Sequence, residues 1–282
     1  MRVRYSFSSR RTGHIDNMRK QREKYPALLK KVVTGSDIVL EVIDARFIEE
    51  SRNERVEEWV KGLGKRLIYV FNKADLVDMK KISKGVLKTL RPHVFVSATE
   101  RHGGKDLREK IKIEAKKVRV LSGSKFDKIN VGVIGQPNSG KSSIINLLIG
   151  RSSAGVGSQA GFTKGIQKLR LSEDVLLFDS PGVIPENKYS PDKMESISLD
   201  AMIGARSPNK LKDPEMVVAH LFSLHPRVLK KFYGVGNEII DSEEFIEDVG
   251  RKMNFLKKGG VVDEDKTSRK IIQDWQDGKI KV

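Results

Sequence analysis

The chain has 282 residues, enough for one large domain or two ordinary ones with a real core. It contains no cysteine, which excludes a disulfide scaffold, a thiolate zinc site, an iron–sulfur cluster and a cysteine nucleophile. No apolar run approaches the ~20 residues that would span a bilayer, and Lys plus Arg outnumber Asp plus Glu by 54 to 37, a formal charge of +17 that points to a polyanionic partner, nucleic acid first.

The charge is uneven. Residues 1–36 carry ten basic and two acidic side chains, residues 37–126 carry 21 and 14, residues 127–189 seven and five, and residues 190–282 sixteen of each. The excess therefore lies ahead of residue 190 and is densest from Arg2 to Lys31. Contact with RNA is the expected role of this arm; a solvated basic arm is the competing reading, because charge runs mostly face solvent. An Arg-rich, acid-poor start also has the composition of an organelle transit peptide.

In chain order, Asp37–Asp44 reads as a buried strand, Asn53–Gly62 as a helix with Val56 and Val60 on one face, and Arg66–Phe71 as a second strand. Lys80–Leu90 reads as a helix, His93–Ser97 as a third strand and Asp106–Val118 as a charged helix. Asn130–Ile134 is a fourth strand, followed by a glycine-rich turn and a helix over Lys141–Ile149; Ile166–Leu171 and Asp174–Phe178 are two more strands. Strands alternating with helices predict an α/β fold with a doubly wound, mainly parallel sheet. After Pro185 prolines multiply and apolar residues recur at helical spacing, as in Phe245, Val249, Met253 and Leu256. That change predicts an all-helical C-terminal domain. The expected division is a basic N-terminal helical arm (1–36) packed on the α/β domain (37–188), then the helical domain (189–282).

Gly135-Gln-Pro-Asn-Ser-Gly140-Lys141-Ser142 matches G-x-x-x-x-G-K-[ST], a pattern expected in about one random chain in a hundred of this length. Its glycines let successive backbone N–H groups face one point at a helix N-terminus, an anion-binding concavity. Pro137, Asn138, Ser139, Gly140 and Ser143 would line it, Lys141 would reach the β- and γ-phosphates, and the Ser142 hydroxyl would bind Mg²⁺. Asp179-Ser-Pro-Gly182 follows an apolar strand, so Asp179 is expected to hold a magnesium-bound water and the Gly182 N–H to contact the γ-phosphate. Thr163, in a loop between these two motifs, is a candidate third magnesium group; alone it would read as an ordinary loop residue.

Asn72-Lys73-Ala74-Asp75 also ends a strand. A carboxylate at Asp75 can accept from both N1–H and the exocyclic amine of guanine, whereas adenine would leave its acceptors unpaired. Asn72 would brace the loop and the Lys73 stem would lie along the base. Ser97-Ala98-Thr99 follows the next strand, with the Ala98 N–H expected on guanine O6.

In ordinary GTPases these base-reading motifs come after the phosphate loop; here they come before it. In this order the chain resembles the circularly permuted GTPases of the YlqF/RbgA type, which act in ribosome biogenesis. Asp44-Ala45-Arg46 with Ser51-Arg52-Asn53 looks like that family's D-A-R element, and the resemblance runs from Gly13-His14 to Asp274-Trp275. It implies a GTP-binding and GTP-hydrolysing assembly factor using Mg²⁺, with a ribosomal subunit, the large one first, and rRNA as partners. It also implies a monomer in the cytoplasm and makes the arm part of the domain rather than a transit peptide. Two rivals stay open: a GTPase switch acting on a protein partner, and an RNA-binding protein holding GTP as a structural ligand.

D-x-x-G is followed by Val183 and Ile184, neither able to orient a water, so hydrolysis is expected to be slow without help from a ribosomal particle or an ion. The resemblance implies a potassium ion at Asn138; a plain turn-former is the alternative. His220 and His225 read as helix surface or packing. Among Lys230, Lys231, Phe232 and Tyr233, base stacking is conceivable, with packing the better reading for Phe232.

Overall fold

A computed structural model describes residues 27–123, 128–150, 167–179, 194–204 and 206–282. The arm 1–26, Thr163, Gly182 and the segment joining strand to helices after Asp179 lie outside these residues.

Helix α1 (residues 27–35) leads into strand β1 (Ile38–Asp44). There follow α2 (Ile48–Ser51), α3 (Glu54–Gly62), β2 (Arg66–Asn72), α4 (Lys84–Thr89), β3 (His93–Phe95), α5 (Gly104–Ser122), β4 (Ile129–Gly135), α6 (Lys141–Ile149), β5 (Gln167–Arg170) and β6 (Val175–Asp179). The strands form one sheet in the order β3-β2-β1-β4-β6-β5, parallel throughout except that β5 runs antiparallel to β6. The expected doubly wound sheet is therefore present. From β1 the chain winds outward through β2 to β3, then returns to lay β4 on the other side of β1. This reversal between β1 and β4 is the switch point at which open α/β sheets hold ligands, outside the carboxyl ends of the strands.

Period-two alternation splits the strands between two layers. Ile38, Leu40 and Val42 of β1 pack with Leu107 and Ile111 of α5 and Ile144 and Leu148 of α6. Val39 and Ile43 face the other way, onto Val32 and Val33 of α1 and Val56 and Val60 of α3. Residues 27–36 thus belong to the packed body of the sheet, with Lys30 and Lys31 left exposed. Gly132 in β4 lets α1 approach closely, since a Cβ there would strike the Ser36 and Val32 side chains.

Helix boundaries follow local capping. Asn53 accepts from the Val56 N–H at 3.3 Å and opens α3 one residue inside the expected start. The helix expected over Lys80–Leu90 is shorter. Asp78 caps the Lys80 N–H at 3.0 Å and opens a separate turn at Met79–Lys81; Ile82 and Ser83 are then extended, and α4 begins only at Lys84.

The C-terminal region is helical, as expected: α7 (Met194–Met202), α8 (Pro214–Leu224), α9 (Pro226–Tyr233), α10 (Ser242–Lys252) and α11 (Glu264–Gln276). These helices enclose a second core around Val217, Leu221, Phe245, Ile271 and the fully buried Trp275, to which the loop after β1 contributes Phe47. His225 packs, as anticipated, stacking on Trp275 with ring centroids 5.2 Å apart. The Phe232–Tyr233 expectation reverses. Tyr233 is held inside by its O–H donating to Asp274 Oδ2 at 3.2 Å, which turns the next-door Phe232 outward, 42% exposed.

One position breaks the apolar alternation of β1. Glu41 shares the α3-facing side with Val39 and Ile43 and is fully buried beside its register partner Tyr69 and beside Glu57 of α3. One oxygen accepts from the Asn53 N–H at 2.8 Å, while Glu57 takes Tyr69 O–H at 2.6 Å and Arg52 Nε at 2.8 Å. Burial first, and then the neighbouring Glu57 charge, push the Glu41 carboxyl up to about 8. A carboxyl raised on folding contributes stability below its unfolded pKa and loses that contribution as pH climbs toward the folded value. Glu41→Gln, neutral at every pH, is therefore expected to be more stable than the parent at pH 8.5 by on the order of 1–3 kcal/mol. The difference should shrink toward zero near pH 5, as read by urea unfolding at the two pH values.

Candidate functional site

Four loops meet at the carboxyl ends of the central strands. Register sets their heights: Asp44 ends β1 level with Asn72 at the end of β2, Val42 is level with Gly135, and Val133 is level with Asp179. The phosphate-loop sequence leaves β4 at Gly135 and enters α6 at Lys141. Its outer glycines are dictated by space as well as by φ. Gly135 (φ 145°) could not carry a Cβ without striking the Val42 carbonyl, and Gly140 (φ 91°) could not carry one without striking Asn72 Nδ2. Within the loop the Ser139 N–H bonds Gln136 O at 3.3 Å, and Lys141 Nζ reaches back to the same carbonyl at 2.7 Å, so the ammonium spans the curl. Pro137 and Ser139 are buried; Ser142 and Ser143 lie half-buried in the first turn of α6. Asn138 has a left-handed backbone (φ 58°), and its Nδ2 donates to the Gly204 carbonyl, just after α7, at 2.6 Å.

Asn72 joins this loop to the base-reading side. It is buried, its Nδ2 donates to Ser139 O at 2.8 Å, and its Oδ1 accepts from the Ala98 N–H at 3.3 Å. One side chain thereby fixes the distance between the G-x-x-x-x-G-K-S loop and the S-A-T loop. The Ala98 N–H, expected on guanine O6, lies 3.3 Å from Asn72 Oδ1, which holds the S-A-T backbone beside the N-K-A-D turn. Ser97 is buried, its Oγ accepts from the Glu100 N–H at 3.0 Å, and it pairs in both directions with His102, closing the tight loop that leaves Thr99 exposed. Gly103 (φ 76°) is needed there, since a Cβ would hit the Phe95 carbonyl.

Lys73 adopts φ 61° and opens a single helical turn over Ala74–Leu76, which leaves Asp75 half-buried. Its ammonium pairs with Asp44 Oδ2 at 2.8 Å. The same carboxylate takes Arg46 Nη2 at 2.8 Å and Arg46 Nε at 3.1 Å. Burial by itself would raise the Asp44 carboxyl; Arg46 and then Lys73 overcome it and hold the group well below the usual carboxylate range. Arg46 was recognisable in sequence only as part of a short motif, without a role. The structure shows its Nη1 donating to the Trp275 carbonyl of α11 at 2.9 Å, with the guanidinium 5.0 Å from the Trp275 ring centroid. The Val282 N–H adds a bond to Leu76 O at 2.8 Å. A second side chain missed by pattern alone is Gln136, whose Nε2 donates to Glu50 O at 3.1 Å and ties the phosphate loop to α2. Asp179 is placed at the end of β6, but its side chain lies outside what is described.

The strand order, with base-reading loops preceding the phosphate loop along the chain, defines the class: a P-loop GTPase whose elements are circularly permuted. A family model described as a 50S ribosome-binding GTPase matches residues 130–225. The chain is 38% identical over 263 residues to a GTP-binding protein of Methanocaldococcus jannaschii, covering 93% of this chain and 68% of that protein. It is 31% identical to the GTPase grn1 of Schizosaccharomyces pombe, covering 92% and 61% of the two chains, and 30% identical to the nuclear GTP-binding protein NUG1 of Saccharomyces cerevisiae, covering 93% and 56%. It thus spans only a little over half the length of the two yeast relatives. The crystal structure of GNP-bound YlqF from T. maritima superposes with a TM-score of 0.63 at 25% identity, over 91% of this chain and 94% of that one. This chain belongs to the family of circularly permuted GTPases of the YlqF type.

Asn72→Ala would leave Ser139 O without its buried donor and Ala98 N–H without its acceptor. It is expected to cost about 1–3 kcal/mol of stability and to weaken GDP binding by about tenfold or more. Thermal unfolding and calorimetric titration check the two effects separately.

Proposed function

We propose that the chain binds GTP at this site, hydrolyses it slowly, and acts in its GTP state on a ribosomal particle, the large subunit first. Asn72 is the observation that carries the nucleotide reading. A single buried amide linking a phosphate-type loop to two base-reading loops has a clear use when one ligand must touch all three. The residues fit a guanine nucleotide and magnesium. The phosphate loop has glycines where any Cβ would collide, a buried serine at Ser139 and a lysine across its mouth. Ser142, Asp179 and Thr163 supply the hard oxygen ligands that magnesium prefers. When bound, magnesium would neutralise charge on the β- and γ-phosphates. Lys141 would draw charge from the same oxygens, the Gly182 N–H would hold the γ-phosphate, and Asp75 would select guanine.

Val183 and Ile184, the two residues that follow D-x-x-G, cannot position water, so a partner or a monovalent cation would raise the rate. At Asn138 a cation would be held through the side-chain oxygen Oδ1, the amide atom able to ligate a cation, while Nδ2 donates to the Gly204 carbonyl. Turnover that is equal in potassium and sodium, with and without ribosomal particles, would remove Asn138 from the mechanism.

The ribosomal reading draws on the family description and on charge. Between Asp78 and Glu100 the chain has no acidic residue. Lys80, Lys84, Lys88 and Arg91 from that stretch are exposed ahead of β3, an edge strand of the sheet, and have no ion pair among the described residues. Binding to rRNA through such lysines should weaken steeply as salt rises. The neutral C-terminal region favours a protein partner instead, and salt-insensitive capture of a protein without rRNA would support that rival.

Base selection has a sharper test. Asp75→Asn replaces an acceptor by a donor, so it is expected to lose guanine nucleotides by at least about tenfold and to gain xanthosine diphosphate, whose C2 carbonyl accepts where guanine donates. Co-sedimentation with each ribosomal subunit, with GDP or a non-hydrolysable GTP analogue, tests the partner: no nucleotide-dependent difference with either subunit would overturn the ribosomal reading.

A further inference from the structure

Lys73, Asp44, Arg46 and the Trp275 carbonyl form an unbroken chain of close contacts, of 2.8, 2.8 and 2.9 Å. It begins at the lysine next to the proposed guanine subsite and ends inside the C-terminal helices. Its inner links are shielded: the Asp44 and Arg46 side chains are each 1% exposed, Trp275 is fully buried, and only Lys73, at the base side, is partly exposed at 19%. The far end is rigid, because the Trp275 indole N–H donates to Met202 O at 3.0 Å and its ring packs on His225 and, at 5.9 Å, on Phe47, the residue following Arg46. The Arg46 guanidinium is forked, with Nε and Nη2 on Asp44 and Nη1 on Trp275. A guanidinium can do this and an ammonium cannot, because its donors diverge from one plane.

We propose that Arg46 is a positioning residue for the base subsite and its mechanical link to α11: whatever draws Lys73 toward a bound base changes how tightly Asp44 holds Arg46, and so how Arg46 sits on Trp275. The inference rests on the guanine reading of Asn72–Asp75. Electrostatics requires the trade. Asp44 has two cations in a site closed to water, and weakening one contact strengthens the other, since little solvent is there to compensate. Signals usually assigned to the phosphates would travel through the segment after Asp179. This path runs instead from the base side and would respond to GDP and GTP alike.

The chain has two tryptophans, Trp59 and Trp275, so Trp59→Phe in the full-length protein makes Trp275 the sole reporter. GDP is expected to shift the Trp275 emission, whereas magnesium pyrophosphate, which has no base, is expected to leave it unchanged. In the same background, Arg46→Ala should weaken GDP binding by about ten- to a hundredfold. Arg46→Lys keeps a cation on Asp44 but loses the fork; it should weaken GDP binding less than Arg46→Ala and yet abolish the emission response. This split is not expected of a residue that only stabilises the fold, and the lysine variant keeps the test informative if the alanine variant folds poorly. GDP binding seen by calorimetry with no change in Trp275 emission overturns this inference alone, as does a full response in Arg46→Lys. No calorimetric binding of GDP overturns the guanine reading and the inference together.

Discussion

A carboxylate removed from water at the end of the central strand is the constraint on which the rest of the site depends. Asp44 is buried, and an uncompensated ion there would cost several kcal/mol. It stays ionised because Arg46 and Lys73 close on it from two sides. Each cation brings a chain segment with it. Lys73 must turn back through a left-handed backbone to reach Asp44, which sets the entry of the Ala74–Leu76 turn and so the height of Asp75. Arg46 must point toward α11, which places the following Phe47 in the helical core. Removing one partner of such a buried cluster is typically worth about 3–5 kcal/mol, more than any exposed ion pair of this chain would contribute.

Circular permutation makes sense of why so much is fastened at this point. In the sheet order, β1 and β4 are neighbours at the reversal of winding, but in the chain they are separated by both base-reading loops. The phosphate loop is therefore not tied covalently to the loops nearest it. Its position is secured by side chains instead: Asn72 to Ser139, Gln136 to Glu50, and Asn138 to Gly204. The first two hold it to the sheet side, and the third holds it to the helical region. The two cores share this rim, so the nucleotide site is built at a seam between them, a common location for ligand sites.

Most of the sheet was legible because fully buried parallel strands are continuous runs of Val, Ile and Leu, and each such run was bounded by polar or glycine-rich residues. The four site loops were legible for a related reason: the glycines and the asparagine–lysine pair occupy positions where chemistry and backbone space leave few alternatives. Gly140 has no room for a side chain because Asn72 is there. What could not be read was anything that depends on residues distant in sequence. Arg46 meets Trp275 across 229 positions, and Asn138 meets Gly204 across 66. Short-range capping was missed as well: Asp78 opens a separate turn at Met79–Lys81, and the extended Ile82 and Ser83 delay α4 to Lys84, where one helix over Lys80–Leu90 was expected. The Phe232–Tyr233 pair failed for the same reason as the long-range contacts, since only the position of Asp274 decides which ring turns in.

The charge distribution now has a structural explanation. In the helical region several acids are paired with its own cations. Asp274 takes Lys270 at 2.6 Å and Lys279 at 2.5 Å, Asp265 takes Arg269 at 2.7 Å, and Glu247 takes Arg251 at 2.6 Å. Its neutrality is thus a balance of many charges, part of them paired with one another, rather than a lack of charge. On the sheet side the acids are drawn inward: Glu41, Asp44, Glu57 and Glu114 are all buried, and three of them neutralise or share the cations nearest them. Lys80, Lys84 and Lys88 have no ion pair among the described residues and stay in solvent. Three of the buried carboxylates are matched by cations at their side, so the exposed lysines beyond them remain as net positive charge open to an anionic partner.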